Sequence, residues 1–472
     1  MAAHPEHSDP RSAVAALVRR ARAAQGLYQR YTQAQVDEVV TAAGWAIMKP
    51  ENNRALADLA VADSGLGNAE DKFEKNYRKT LGLLRDLQGA KSVGVIAEYP
   101  ELGLVEIARP VGVVAAVTPS TNPGATPANK IINALKGRNA VIIAPSPKGY
   151  STCARLLEFV HAEFKKIGAP AELVQQLPSP VTKDLTHELM RQADLVAATG
   201  SQANIRAAYT SGTPAVGVGA GNVVVIVDSG ADLADAAAKI GRSKTFDNAT
   251  SCSSENSAVI LADVYAAMLA ELGKQGGVLL DATEKQRLEG LMFPGGKLAA
   301  ATTAQSAPRI AQLAGLERDA LRNCRFIMVE ESGTGPACPF SGEKLAPVMA
   351  IYKARDFDEA FQITRSIYDY QGKGHSVGIH TRDDAHVMRL GLELEVCRVI
   401  VNQAHAIATG GSFDNGLPFS LSMGCGTWGR NSFSENMNYR HFLNTTRIAR
   451  VIPEEIPSEE DIFGAYWRKF PR

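Results

Sequence analysis

Short, uninterrupted apolar runs, set between glycines and prolines and separated by helical stretches, constrain this chain more than any other feature. VGVVAAV (111–117), NAVIIA (139–144), LVQQL (173–177), DLVAAT (194–199) and NVVVIVD (222–228) are of this kind. A strand with one wet face alternates apolar and polar residues, whereas a strand buried on both faces does not. Runs of the second type joined by helices predict a doubly wound parallel sheet. SAVILA (257–262), RFIMVE (325–330), PVMAIYK (347–353) and VCRVIVN (396–402) carry the pattern into a second α/β stretch, with the boundary expected at 240–250. Ahead of the first run, Val14, Leu17, Val18 and Ala21, then Val36, Val39, Val40, Ala43 and Ile47, fall at helical spacing, and Thr32 with Gln35 fits a capping box. Residues 93–109 read as two strands around Tyr99-Pro100 and Gly103, a protruding hairpin, and the last thirty residues read as a charged, extended tail.

With 472 residues, 45% of them hydrophobic, the chain exceeds one compact core and predicts two domains. Lys plus Arg and Asp plus Glu both number 50, and no basic stripe stands out, so nucleic acid is not expected as a partner. No apolar run approaches the roughly 18 residues of a membrane span. The start, MAAHPEHSDP, lacks the basic and apolar regions of a secretory leader, which predicts a cytoplasmic protein. The six cysteines form no CxxC pair and the nine histidines no HExxH, so neither a disulfide framework nor a metal site is expected.

Three segments carry candidate chemistry. AATGSQANIRAAY (197–209) places Gly200 and Ser201 at a strand-to-helix turn of the sort that faces a pyrophosphate, although any crossover needs such a cap and the full GxGxxG fingerprint is missing. GVGAGN (217–222) precedes a strand and so fails as a phosphate loop. TFDNATSCSSENSAVI (245–260) sets Cys252 among Ser, Thr and Asn, unlike the apolar surroundings of an inert buried cysteine. TPSTNP (118–123) follows the VGVVAAV strand and offers the amide of Asn122, in what is equally an ordinary turn signal.

TPSTNP, ALKGRNAVIIAPSPKG (134–149), TGS, FDNATSCSSEN and GCGTWG (424–429) occur in an order that resembles the aldehyde dehydrogenase superfamily, and specifically its coenzyme A-acylating branch, over roughly residues 90–445. The resemblance implies an α/β fold with a Rossmann-type cofactor domain (1–245), a catalytic domain (246–435) and a C-terminal segment (436–472). That segment, with the hairpin, would form an oligomerisation arm building a homodimer or homotetramer. It implies Cys252 as nucleophile and Asn122, with the Cys252 backbone amide, as the oxyanion hole. Thr118, Pro119, Ser120, Gly200, Ser201, Gly219 and Glu343 are implied as cofactor-binding, Glu343 holding the nicotinamide ribose, and Ser146 and Lys148, where the chain departs from the family pattern, are expected to approach an adenosine 2′-phosphate. Cys425 of GCGTWG falls in what the family uses as a structural loop.

Two departures from hydrolytic relatives carry information. Where those enzymes have Glu-Leu-Gly-Gly-Lys, whose glutamate activates water, this chain has Gly217-Val218-Gly219-Ala220-Gly221. Without that base, attack on a thioester by a coenzyme A thiol, partly ionised near neutral pH, is favoured over attack by water. Where they have Lys-Pro-Ser-Glu, this chain has Ala144-Pro145-Ser146-Pro147-Lys148, which removes a repulsion against a 2′-phosphate and admits NADP as well as NAD. The wording of FDNATSCSSENS and of residues 402–429 resembles that of acylating family members acting on sulfoacetaldehyde, which implies that aldehyde as substrate, with Arg242, Lys244, His405, Ser412 and Arg430 as candidates for the sulfonate. Acetaldehyde or propionaldehyde as substrate, and a hydrolytic enzyme, are the alternatives. A Cys/His hydrolase ranks lower, since no histidine lies in a motif that pairs with Cys252.

Overall fold

The computed structural model describes residues 9–470. Four helices open the chain: α1 (Pro10–Tyr28), α2 (Gln33–Met48), α3 (Pro50–Ser64) and α4 (Ala69–Leu87). The expected capping box starts α2: the Thr32 amide donates to Gln35 Oε1 at 2.9 Å and the Gln35 amide to Thr32 Oγ1 at 3.4 Å. Strands β1 (Gly94–Tyr99) and β2 (Leu104–Pro110) form the expected antiparallel hairpin, turned at Gly103. Gly103 has φ +61°, and a Cβ there would stand 2.7 Å from the Arg450 carbonyl oxygen.

Strands β3 (Val113–Thr118), β4 (Ala140–Pro145), β5 (Val174–Gln176), β6 (Leu195–Thr199) and β7 (Ala215–Val218) form a parallel sheet in the order β5-β4-β3-β6-β7. Its crossover helices are α5 (Ala125–Lys136), α6 (Tyr150–Ile167), α7 (Lys183–Gln192) and α8 (Gln202–Tyr209). Every residue of β3 and β4 is buried, as expected of strands covered on both faces by helices. α1 and α2 supply part of that cover through Val14, Val18, Val36 and Val40.

After β7 the chain enters β8 (Val223–Val227), then α9 (Leu233–Thr245). Next come β9 (Glu255–Leu261), β10 (Gly277–Leu279), β11 (Phe326–Glu330), β12 (Val348–Ala354), β13 (Val377–His380) and β14 (Val399–Val401). These seven form a second parallel sheet, β10-β11-β12-β9-β8-β13-β14. This corrects the assignment of 222–228 to the first sheet. Nothing in an all-apolar strand says which sheet it joins, and β8 pairs with β9 and β13 instead. The change of sheet therefore falls between Val218 and Val223, ahead of the boundary expected at 240–250, and β7, unmarked by a long apolar run, closes the first sheet. The final strand, β15 (Leu443–Ala449), returns to pair with β2, so the C-terminal segment and the hairpin make one three-stranded antiparallel sheet.

Candidate active site

The order of the first sheet reverses between β3 and β6, and ligands of such sheets sit at the carboxyl ends on either side of that point. Pro119, Ser120 and Asn122 follow β3; Gly200 and Ser201 follow β6. Opposite them stand the amino ends of the second sheet, with Gly221 ahead of β8, Cys252 ahead of β9, Glu343 ahead of β12 and His375 ahead of β13. The linker Gly219–Asn222 runs between the two sheets. A cavity of about 370 Å³ fills the space and is lined by Pro119, Ser120, Asn122, Gly200, Ser201, Gly219, Cys252 and Glu343. Thr118 lies just behind, at the end of β3, while Ser146 and Lys148 stand outside this lining at the more exposed end of β4.

Cys252 Sγ lies 3.3 Å from His375 Nε2, and His375 Nδ1 lies 2.7 Å from Ser376 Oγ. This overturns the expectation that no histidine pairs with Cys252. His375 is fully buried, and burial, with Arg398 and His405 nearby, holds its pKa well below the usual histidine value, so the imidazole is neutral at pH 7. Burial also raises the Cys252 thiol, with Glu343 and Cys425 adding to the effect, so sulfur rests as the thiol. When Nδ1–H donates to Ser376, the Nε2 lone pair faces Sγ and can take its proton. Arg398 braces this arrangement: Nη1 donates to the His375 carbonyl at 3.0 Å and Nη2 to Gly424 and Ser434 carbonyls at 2.9 Å.

The loop that presents Cys252 passes through Asp247, Asn248 and Ala249 at φ +51°, +50° and +58°. A left-handed conformation costs an L-residue about 1–2 kcal/mol, so the turn must be held from outside. Asp247 supplies the hold. Its Oδ2 accepts from Lys72 Nζ at 3.0 Å and Lys75 Nζ at 2.5 Å, its Oδ1 from the Asn68 amide at 3.0 Å, and its own amide donates to Asp71 Oδ2 at 2.7 Å. Burial alone would raise Asp247, but Lys75 and Lys72 outweigh it and keep the carboxylate ionised. Lys75 Nζ also donates to Asn122 Oδ1 at 2.7 Å. An ammonium can only donate, which fixes the oxygen end of this amide toward Lys75 and leaves Nδ2 a single long contact to Thr121 Oγ1, at 3.5 Å. Asn122 thus keeps a donor free for a ligand oxygen.

The donor set at the other end of the cavity fits a nicotinamide dinucleotide. Gly200 and Ser201 open α8, whose free amides suit a pyrophosphate, and Ser201 caps it by accepting from the Asn204 amide at 3.4 Å. Thr118 Oγ1 is buried without a partner. A Cβ at Gly219 would come 2.6 Å from Gln202 Nε2, so only glycine lets the backbone line this wall without displacing Gln202. Glu343 accepts from the Gly221 amide at 3.1 Å, and burial pushes its pKa up to about 8. At Gly217, where a catalytic glutamate was expected to be missing, β7 packs against Ile205 and Tyr209 and carries no carboxylate.

None of the five residues expected to meet a sulfonate lines this cavity. Arg242 is exposed beside Glu74 at 3.7 Å, and Ser412 accepts from Arg78 Nη2 at 2.7 Å. Lys244 is buried near Glu255 and Glu343, and burial lowers its pKa to about 7. His405 Nδ1 lies 2.9 Å from the Ser253 carbonyl, and Arg430 borders a different groove beside Trp428. Cys425 is buried, its Sγ 3.5 Å from the Met423 carbonyl oxygen, in a loop packed on Gly374, as expected of a structural residue. Lys79 of α4 lines the cavity instead, and Lys75 and Arg78 of the same helix border a small pocket adjoining it.

Comparison with known proteins agrees with this geometry. A model of the aldehyde dehydrogenase family matches residues 4–279. A sulfoacetaldehyde dehydrogenase (acylating) from Cupriavidus necator is 63% identical over 97% of this chain and 93% of that protein. A succinate-semialdehyde dehydrogenase (acetylating) from Clostridium kluyveri is 38% identical over 95% of this chain and 98% of its own. The crystal structure of an acetylating aldehyde dehydrogenase from Geobacillus thermoglucosidasius superposes with a TM-score of 0.91 at 33% identity, covering 95% of this chain and 98% of that one. The chain belongs to the aldehyde dehydrogenase family.

Two outcomes follow from the electrostatics. Asp247→Asn leaves Lys72 and Lys75 buried without their shared anion and is expected to cost about 3–5 kcal/mol, read as a lower denaturant midpoint; a loss under about 1 kcal/mol would show that the Thr121 carbonyl and the Thr250 hydroxyl, which also accept from Lys72 and Lys75, suffice. A raised thiol pKa means less thiolate at any given pH. Alkylation of Cys252 by iodoacetamide in the ligand-free protein should therefore accelerate by about tenfold per pH unit between pH 7 and 9. A plateau below pH 8 would instead reveal a preformed thiolate–imidazolium pair.

Proposed function

We propose that this protein is a coenzyme A-acylating aldehyde dehydrogenase that oxidises a short anionic aldehyde, sulfoacetaldehyde, with NADP or NAD as acceptor. The observation that carries the acyl-transfer assignment is the absence of an ionised carboxylate able to activate water. Among the described residues lining the cavity, Glu343 is the one carboxylate, and with a pKa of about 8 it is protonated at pH 7. The names of the Cupriavidus necator and Clostridium kluyveri relatives, both acylating or acetylating, support the same reading and supply the anionic aldehyde.

Gly200 and Ser201 would hold the pyrophosphate and Glu343 the nicotinamide ribose of a bound dinucleotide, which would supply the hydride acceptor. His375 Nε2 takes the Cys252 proton as sulfur adds to the carbonyl carbon. Asn122 Nδ2 and the Cys252 amide donate to the oxygen as it becomes anionic. Loss of hydride from that carbon leaves a thioester on Cys252, and His375 gives its proton to solvent. In the second half, the same imidazole accepts the coenzyme A thiol proton, the incoming sulfur attacks the thioester carbonyl, and Cys252 leaves and regains a proton from His375. Atoms and charges balance: aldehyde, oxidised cofactor and thiol become acyl thioester, reduced cofactor and one proton.

The working unit is a homodimer or a homotetramer built from two such dimers. This is supported by the unpaired edge of β1 and by exposed apolar residues of the tail, among them Val451, Ile456, Ile462 and Tyr466. No described helix is long and apolar enough to cross a membrane, and all six cysteines are free, which supports a cytoplasmic location.

Reduction of the cofactor by sulfoacetaldehyde should require coenzyme A and yield a thioester product on mass analysis. Cys252→Ala should abolish it, and His375→Ala should lower kcat by about 10²–10⁴-fold, the range of a general base. Free acid formed at full rate without coenzyme A would overturn the assignment. Sedimentation should give a dimer or tetramer, and truncation after Ala449 should shift it toward monomer.

A further inference from the structure

Past Asn122 and Ser251 the cavity continues into a side chamber of about 30 Å³, walled by Lys75, Arg78, Lys79, Phe246, Ile407 and Leu421. A single water needs about 10–15 Å³ on this measure, so the chamber takes a compact tetrahedral group in place of about two waters and admits no long chain. Lys79, Asn122, Ser251, Ala406 and Leu421 border chamber and main cavity alike. It therefore opens beside the amide assigned to the carbonyl oxygen.

The chamber is positive, and two of its three cations have no carboxylate within ion-pair distance. Lys75 shares Asp247 with Lys72, but Lys79 and Arg78 meet only neutral acceptors. Lys79 Nζ, on a residue 8% exposed, donates to the carbonyls of Gly410 at 2.7 Å and Gly411 at 3.2 Å. Arg78 donates to the Ile407 carbonyl at 3.3 Å and to Ser412 Oγ at 2.7 Å. Glu74 and Asp414 act on Arg78 from a distance and Arg242 opposes them, while no carboxylate lines the chamber. Burial, with Arg78 and Lys75 nearby, holds the Lys79 pKa well below the usual lysine value, and as an ammonium with three donors for two carbonyls it retains one for a ligand anion, whose charge would favour keeping the proton. Such a group is best satisfied by a ligand anion.

We infer that this chamber is the subsite for the anionic head group of the substrate, a sulfonate carried on the carbon next to the aldehyde, held by Lys79 and Arg78 while the carbonyl stays at Asn122 and Cys252. The inference deepens the reading of this protein as an oxidoreductase of short anionic aldehydes and rests on it. A carboxylate on a longer chain, as in succinate semialdehyde, shares the charge but overruns the depth of the chamber.

The test compares kcat/KM for sulfoacetaldehyde, propionaldehyde and succinate semialdehyde, read as cofactor reduction with and without coenzyme A, in the wild type, Lys79→Met and Arg78→Gln. The ratio of sulfoacetaldehyde to propionaldehyde should fall on the order of 100-fold in each variant, the scale of a lost buried charge contact. Ethanesulfonate should compete with the aldehyde in the wild type. Equal losses on charged and uncharged aldehydes, an unchanged ratio, or no competition by ethanesulfonate would each overturn the inference. If Lys79→Met does not fold, Arg78→Gln, which keeps a donor for Ser412, and the competition assay decide the matter. Loss of coenzyme A dependence would sink the acyl-transfer reading and still leave the charge ratio measurable. A ratio that collapses only for succinate semialdehyde would keep the anionic subsite and replace the sulfonate by a carboxylate.

Discussion

The structure depends on one carboxylate. Asp247 sits in a left-handed turn that the chain would not keep unaided, and it is held by two lysines of α4. That contact orients three things at once: the loop ending in Cys252, the helix that walls the cavity, and, through Lys75, the amide of Asn122. The nucleophile and the oxyanion donor come from different sheets, so their relative placement needs a rigid bridge. A buried ion pair with excellent geometry provides it, at a desolvation cost that makes the arrangement intolerant of losing either sign.

The division of labour between the sheets follows from their direction. Parallel strands put all their carboxyl ends on one side, and here the carboxyl ends of the first sheet meet the amino ends of the second across a four-residue linker, Gly219–Asn222. The first sheet contributes loops rich in glycine and backbone amides, suited to a phosphate-bearing cofactor. The second contributes single reactive side chains, each two to five residues ahead of a buried strand and so fixed by its first ladder hydrogen bonds. Cys252, His375 and Glu343 are all of this second kind.

Much of this was legible in the sequence, for identifiable reasons. The parallel sheets announced themselves through apolar runs, the hairpin through Gly103, and Cys252 through the polarity of its neighbours. Eight of the residues implied by resemblance line one cavity. The failures are equally specific. Val223–Val227 has the composition of any buried strand, so its sheet was misjudged. His375 lies in GKGHSVG, where the available signal was a polar His-Ser pair set directly against a buried strand. Lys72, Lys75 and Lys79 sit among Glu, Asp and Arg on α4, and local charge does not reveal that the stripe 72, 75, 79 turns inward. The sulfonate candidates chosen for nearness in sequence to the catalytic motifs missed for the same reason: the walls of the chamber come in part from a helix some 170 residues earlier than Cys252.

Gly217 has a consequence for how this catalyst can change over time. The Tyr209 hydroxyl both donates to the Gly217 carbonyl at 3.1 Å and accepts from its amide at 3.0 Å, and a Cβ there would press within 3.2 Å of Ile205. A side chain introduced at this position would press on Ile205 and Tyr209 of α8, the helix on which the cofactor's phosphates are expected to rest. Gly217 thus couples any side chain gained at this site to the seating of the cofactor's helix.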